Sequence, residues 1–287
     1  MKKRIGILTQ KIIFIFIAFS FYGCLTSIST NENGLSRTMS STSIEEKRHI
    51  IAHRGFWNIE GSAENSIKSL QLAAELGVYG SEFDVHLTAD NVPVIYHDSI
   101  INDTNIHIQK VSYRKIKKVI LSNGEKLPTL DDYLKKGKNL SIQLILEIKE
   151  HATPERDRKA AQKVVKRVKH FGLEKRVDYI TFSLEAGREL IRLQPKSNVG
   201  YLNGDLTPAQ LKEYGFSTLT YNFEVIASHP EYLIEAREMG LNRAVWTVNN
   251  IALMESLFNQ GLDFITTDIP HQAIEYFEQK LILESEK

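Results

Sequence analysis

Four short apolar runs in this chain end in residues that do chemistry. They are Ile51-Ala-His53-Arg54-Gly-Phe-Trp57, Glu82-Phe-Asp84, Val94-Ile-Tyr-His97-Asp98 and Leu146-Glu147-Ile-Lys149. Glu82 and Asp84 are two apart, so on a strand both point to one face and their carboxylates converge. Like charges that close need a cation or a proton between them. Glu147 and Lys149 repeat the spacing. A third carboxylate there completes an all-oxygen site, which suits Mg²⁺ or Ca²⁺ rather than Zn²⁺. An isolated pair of this kind is more commonly a solvated strand face, so the constellation carries the argument. Histidine is the side chain suited to proton transfer near neutral pH, so His53 and His97 could move protons to and from a reacting oxygen. A lone buried histidine is more often satisfied by a backbone carbonyl; two beside an arginine and three acids are harder to dismiss. Arg54 offers a fork to phosphate oxygens and Lys149 a point charge, and ion pairs with Glu82 or Glu147 are compatible with that role. The chemistry that fits is metal-assisted phosphoryl transfer. Glu64, Phe182, Asn222 and Trp246 are further candidates for substrate contact, while Asp268 reads as a cap for a helix opening at Pro270.

Residues of this kind need strands to present them. Parallel sheets and barrels bind ligands beyond the carboxyl ends of their strands. Nine runs read as strands: 49–53, 79–85, 93–97, 141–149, 177–182, 198–202, 218–221, 244–248 and 263–267. Helical spacing follows many of them. Ser62 reads as an N-cap with Glu64 in the first turn, Ile67, Leu70 and Ala74 as a buried stripe, and Gly77 as the C-cap. Thr129 and Thr153 read as further caps, the latter ahead of Pro154. Further helices begin near Leu184, Pro208, Pro230, Ile251 and Pro270. Strands alternating with helices imply a parallel sheet, and this many imply closure into a TIM-type (β/α)8 barrel, an α/β fold. Nine candidates for eight places leave one outside. Residues 99–127 have no strong period, end in the turn signal Asn123-Gly-Glu, and read as a small insertion after the third strand, above the active face.

The 287 residues carry 42% hydrophobic and 25% charged side chains and a net charge of +1. That is an ordinary globular balance, with no basic field for nucleic acid. Nothing in it sets an oligomeric state. The single cysteine, Cys24, excludes an intramolecular disulfide. It follows a basic start (Lys2, Lys3, Arg4, Lys11) and an apolar run from Ile12 that is too short to span a bilayer comfortably. Phe21-Tyr-Gly-Cys24 resembles a bacterial lipobox. The expected organisation is a lipoprotein-type signal peptide over residues 1–23, a lipid anchor on Cys24, a flexible Ser/Thr/Asn-rich tether over 24–47 and the barrel over 48–287. An uncleaved N-terminal anchor is the alternative. Either places the protein outside the cytoplasm, on a membrane of the bacterial cell envelope.

Ala52-His-Arg-Gly55, Ala63-Glu-Asn-Ser66, Ser81-Glu-Phe-Asp-Val-His-Leu-Thr88, Asp90-x-x-Pro-Val-Ile-Tyr-His-Asp98, Glu147-x-Lys149, Trp246-Thr-Val-Asn249 and Thr267-Asp268-x-Pro270, in that order, together resemble the glycerophosphodiester phosphodiesterase family. The resemblance implies a TIM barrel with an insertion after His97. It implies His53 and His97 as the acid/base pair, Glu82, Asp84 and Glu147 as ligands of a divalent cation, and Arg54 and Lys149 on the phosphate. The implied reaction is hydrolysis of glycerophosphodiesters to sn-glycerol 3-phosphate and an alcohol. Two positions differ from the family pattern. Ala63 stands where proline is usual, and Asp103-Thr-Asn105 replaces an arginine, threonines and a glycine-rich loop. The competing readings are a phospholipase D-like or lysophospholipid phosphodiesterase, which a membrane anchor would suit, and a non-catalytic lipoprotein that binds phosphoesters.

Overall fold

The computed structural model describes residues 50–285. The expected leader, lipidation at Cys24 and tether lie outside the described residues. Nine strands form one sheet: β1 (Ile50–Ala52), β2 (Gly80–Leu87), β3 (Pro93–Ile95), β4 (Gln143–Ile148), β5 (Val177–Thr181), β6 (Val199–Tyr201), β7 (Thr218–Asn222), β8 (Asn242–Trp246) and β9 (Phe264–Thr267). β1 pairs in parallel with both β2 and β9, so eight of the nine strands close into a parallel barrel. The odd one is β3. It runs antiparallel to β2 on the outside, with Val85 opposite Ile95 and Leu87 opposite Pro93. The third strand of the sequence reading is therefore a hairpin arm, and the insertion lies between barrel strands β2 and β4. The turn that makes the hairpin is local chemistry. Thr88 bonds Val92 through its main chain, and Asn91 takes the left-handed conformation at φ 65°, which Asn tolerates better than most residues.

The helices follow from caps and stripes. Thr153 accepts from the Arg156 N–H, Pro154 opens the helix Pro154–Phe171, and Gly172 closes it in the left-handed conformation. Ala161, Val164, Val165 and Val168 of that helix are buried. They meet the outward faces of the barrel strands, Phe83, Val85, Leu144 and Leu146, in the main core. Each of the valine, leucine and phenylalanine side chains contributes about 1.5–3 kcal/mol on burial. Thr129 forms a full capping box on Leu130–Gly137 with Asp132. A short helix, Phe223–Ser228, was not legible; Asn222 caps it through the Glu224 N–H.

The first helix differs from expectation. It spans Ile67–Leu76 and its N-cap is Ser66, not Ser62. Ser62 instead donates to the Phe56 carbonyl, and residues 62–66 form a turn with Asn65 at φ 60°. Glu64 lies outside the helix. The acid at the helix N-terminus is Glu125, from the insertion, which accepts the N–H groups of Ile67 and Lys68 at 2.9 and 3.0 Å. Free N–H groups and the helix dipole favour an anion there, and a residue distant in sequence supplies it. Ile101, Ile108, Ile116, Leu121 and Leu127 of the insertion form a second small core with Ala63 and Val94. Among the described residues no helix is long and apolar enough to cross a membrane.

Candidate active site

Strand register builds the acidic cluster. Asp84 on β2 is the lateral neighbour of Glu147 on β4, and Glu82 lies one inward-facing position deeper. Each offers an oxygen within 4.8 Å of the others, and all three are buried: Glu82 is 2% exposed, Asp84 1% and Glu147 8%. Lys149 Nζ lies 2.8 Å from Glu147 and 3.2 Å from Asp84. Burial pushes Glu82 well above the usual carboxylate range, and Asp84 and Glu147 add to the shift. Glu147 is pushed up to about 7 by burial and by Asp84. Asp84 goes the other way: burial raises it, but Lys149, His97, Asn65 and Arg54 together hold it below its usual value. Lys149 loses to burial and gains more from the two acids, so its ammonium is held charged.

These residues fit a divalent cation. Glu82 Oε1 is buried with no hydrogen-bond partner, and a buried carboxylate oxygen without a donor is costly unless something else neutralises it. The donor set is all oxygen and hard, as Mg²⁺ and Ca²⁺ require.

The loop after β1 brings the second group of side chains. His53 Nδ1 faces Asp268 Oδ1 at 2.7 Å, and Nε2 points toward Glu82 at 4.0 Å. Asp268 therefore bonds to His53, not to the helix at Pro270. Arg54 sits at φ 55°, a left-handed conformation uncommon outside glycine, and its main-chain N–H donates to Glu82 Oε2 at 2.8 Å. Its guanidinium pairs with Glu64 at 2.8 Å and approaches Asp84 at 3.9 Å. Gly55 follows at φ 79°, where an added Cβ would lie 2.4 Å from Ser69 Oγ; only glycine fits.

His97 arrives by the hairpin. Antiparallel β3 turns the chain back along β2, so Tyr96 N–H bonds the Asp84 carbonyl and His97 follows beside the cluster. The sequence reading put it at the end of a barrel strand; the outside arm achieves the same approach. Burial, with Lys149 and Arg54, outweighs the attraction of Asp84 and Asp98 and lowers the His97 imidazole from its ordinary value. A cleft of about 960 Å³ opens beside it, lined among others by Trp57, Glu64, Asn65, Tyr96 and His97. Phe182, just after β5, and Trp246, at the end of β8, meet edge to face at 5.6 Å. Asn222 is engaged as a helix cap.

Two positioning side chains were not singled out from sequence. Asn65 grips Asp84 twice: Nδ2 donates to Oδ2 at 2.8 Å, and Oδ1 accepts the Asp84 N–H at 3.0 Å. Asn249 Nδ2 donates to Asp268 Oδ2 at 2.7 Å, completing a chain Asn249–Asp268–His53. Both asparagines sit inside motifs quoted above, but which acid each would meet depends on the fold.

Comparison with known proteins agrees with this geometry. Residues 53–272 match the glycerophosphoryl diester phosphodiesterase family. A crystal structure of a glycerophosphodiester phosphodiesterase from Parabacteroides distasonis is 52% identical, with a TM-score of 0.78, over 83% of this chain and 98% of that one. A glycerophosphodiester phosphodiesterase of Caldanaerobacter subterraneus is 28% identical over 79% of this chain and 97% of its own. An Oleispira antarctica phosphodiesterase, solved with the product sn-glycerol-3-phosphate, shares the fold at 23% identity and a TM-score of 0.68, over 80% of this chain and 96% of that one. A closed barrel, an acid triad at its mouth and a match running from His53 into the final helix agree: the chain belongs to the glycerophosphoryl diester phosphodiesterase family.

Proposed function

We propose that the chain hydrolyses glycerophosphodiesters to sn-glycerol 3-phosphate and an alcohol, with a divalent cation, Mg²⁺ or Ca²⁺, held by Glu82, Asp84 and Glu147. The observation that carries this is the buried triad with one unpartnered carboxylate oxygen, beside His53, whose Nε2 lies 4.0 Å from Glu82, and His97, close enough to act electrostatically on Asp84. When bound, the cation supplies Lewis-acid neutralisation of phosphoryl charge. Arg54 and Lys149 bind the remaining phosphate oxygens, with Arg54 turning from Glu64 to do so. His53 and His97 act as the acid/base pair. His53 is held by Asp268 with Nε2 inward, so it is oriented to exchange a proton with an oxygen on the phosphorus. His97, neutral near physiological pH because its pKa is depressed, is suited to accept a proton from the attacking oxygen, whether of water or of a neighbouring glycerol hydroxyl. Phe182 and Trp246 would pack on the organic part of the substrate. The sequence further supports export to the bacterial envelope with a lipid anchor on Cys24 and a tether to residue 47. Metabolic labelling with a radioactive fatty acid tests this, and full incorporation by Cys24→Ala would refute it.

The functional test is product identity. Incubation with glycerophosphocholine should release sn-glycerol 3-phosphate and choline; release of phosphocholine, or no release from folded protein, would contradict the reading. Ile59 and Ile120 line the cleft at 45% and 56% exposure, which favours lysophospholipid as a second substrate. Faster turnover of lysophosphatidylcholine would make it the first.

A further inference from the structure

His86 takes no part in the chemistry described so far, yet it is 2% exposed on β2, two residues beyond Asp84. Its ring is wired at both nitrogens. Nε2 lies 3.1 Å from the His97 carbonyl oxygen. A carbonyl only accepts, so Nε2 carries the proton and donates. Nδ1 is then the acceptor, and Gln109 Nε2 donates to it at 3.0 Å. The same amide donates its other hydrogen to the Glu150 carbonyl at 2.8 Å. Glu150 also fixes which way the Gln109 amide points. Reversed, its oxygen would face that carbonyl and the lone pair of His86, and both bonds would be lost.

Four pieces of chain meet in this array. His86 extends the strand of Glu82 and Asp84. Glu150 follows Lys149. Gln109 belongs to the insertion. His97 is the side chain that must stand over the cluster. The ladder between β2 and β3 gives its last bond at Tyr96 N–H to the Asp84 carbonyl, one residue short of His97. The His86 bond reaches past that point.

We propose that His86 and Gln109 are positioning residues: together they fix the main chain of His97 beside the acid triad, and through Gln109 the docked insertion becomes part of the catalytic apparatus. The inference rests on the proposed acid/base role of His97. A misplaced reacting group is costly, roughly 100-fold for a displacement near 1 Å.

The test uses the full chain in detergent with three variants, His86→Leu, His86→Gln and Gln109→Leu. For each, kcat and KM on glycerophosphocholine are measured at saturating cation, with a melting curve. His86→Leu should lower kcat roughly 100-fold while KM stays within about threefold. His86→Gln keeps an amide donor for the His97 carbonyl and should recover most of kcat, even if it melts as early as the leucine variant. That rescue is what a merely structural role would not produce. Gln109→Leu should lower kcat by a smaller factor. Turnover of His86→Leu within twofold of wild type would overturn the proposal, and so would a glutamine variant as slow as the leucine one. Should His86→Leu fail to fold, Gln109→Leu decides, and an unchanged kcat overturns. If wild type turns over no glycerophosphodiester, the functional reading falls by itself. Crystal structures of wild type and Gln109→Leu then judge the placement: a displaced His97 supports it, and an unmoved one refutes it.

Discussion

The two histidines reach the same cluster from regions built on different principles. His53 follows β1, whose ladder is closed on both sides by β2 and β9. Its ring partner, Asp268, directly follows β9. Barrel closure thus fixes histidine and partner together. His97 stands on an outer hairpin, and the insertion beyond it is tied down mainly by side chains: Glu125 on a helix terminus, Gln109 on Glu150, Asp90 on the Tyr113 N–H. Ladders on both sides of its strand place the first; a short ladder on one side only, with individual hydrogen bonds beyond it, places the second. Catalytic geometry on the hairpin side should therefore be the easier to disturb without unfolding the barrel.

Removing the chemistry itself has the largest expected effect. His97→Ala should lower turnover by about 10³-fold, with a melting temperature near wild type, since the ring is partly exposed. Steady-state kinetics alongside calorimetry checks both halves. Next comes the orientation of His53. Asp268→Asn keeps the shape, loses the charge and leaves one acceptor oxygen for two donors, His53 Nδ1–H and Asn249 Nδ2, so kcat should fall roughly 10- to 100-fold, with the melting temperature scarcely changed because Asp268 lies at the barrel mouth.

A pair of smaller changes sharpens the contrast. Glu125→Gln removes the anion and one of two acceptor oxygens at the N-terminus of Ile67–Leu76, and Thr153→Ala removes the cap of Pro154–Phe171. Each should cost about 1 kcal/mol in denaturant unfolding. Only the first should speed hydrogen exchange in residues 99–127 and lower kcat, because only it loosens the insertion. Equal effects of the two on activity would argue that hairpin and barrel are equally rigid.

A further effect is on pH. Glu147 titrates near 7 in the cation-free fold and near 4.3 when unfolded. Between those values the folded state binds more protons than the unfolded state, so stability declines as pH rises and the loss is complete above about 7. Melting curves in EDTA should shift down by a few degrees from pH 5 to 8, and added Mg²⁺ or Ca²⁺ should restore more at pH 8, where the carboxylates are ionised.

Much of this was legible in the residues. Period-two spacing put Glu82 with Asp84, and nine apolar runs gave a barrel with one strand to spare. Register and closure were not legible, and they decide which neighbours meet. Asp84 beside Glu147 is a register fact. So is the outside position of β3, because an apolar run of three to five residues reads alike in either direction. Ser62 and Ser66 are equally good caps in isolation; the need to bring Asn65 to Asp84 selects the later one. Glu125 on the helix N-terminus joins residues 58 apart in sequence, and local pattern carries no trace of such pairings.

One measurement tests the central claim most directly: release of sn-glycerol 3-phosphate from glycerophosphocholine by the full chain in detergent, first in EDTA and then with Mg²⁺ or Ca²⁺ restored. The triad predicts no release in EDTA and recovery with one or both cations, and no recovery in a Glu82→Gln variant. Full turnover in EDTA, or a Glu82→Gln variant that responds to cation as wild type does, would contradict it.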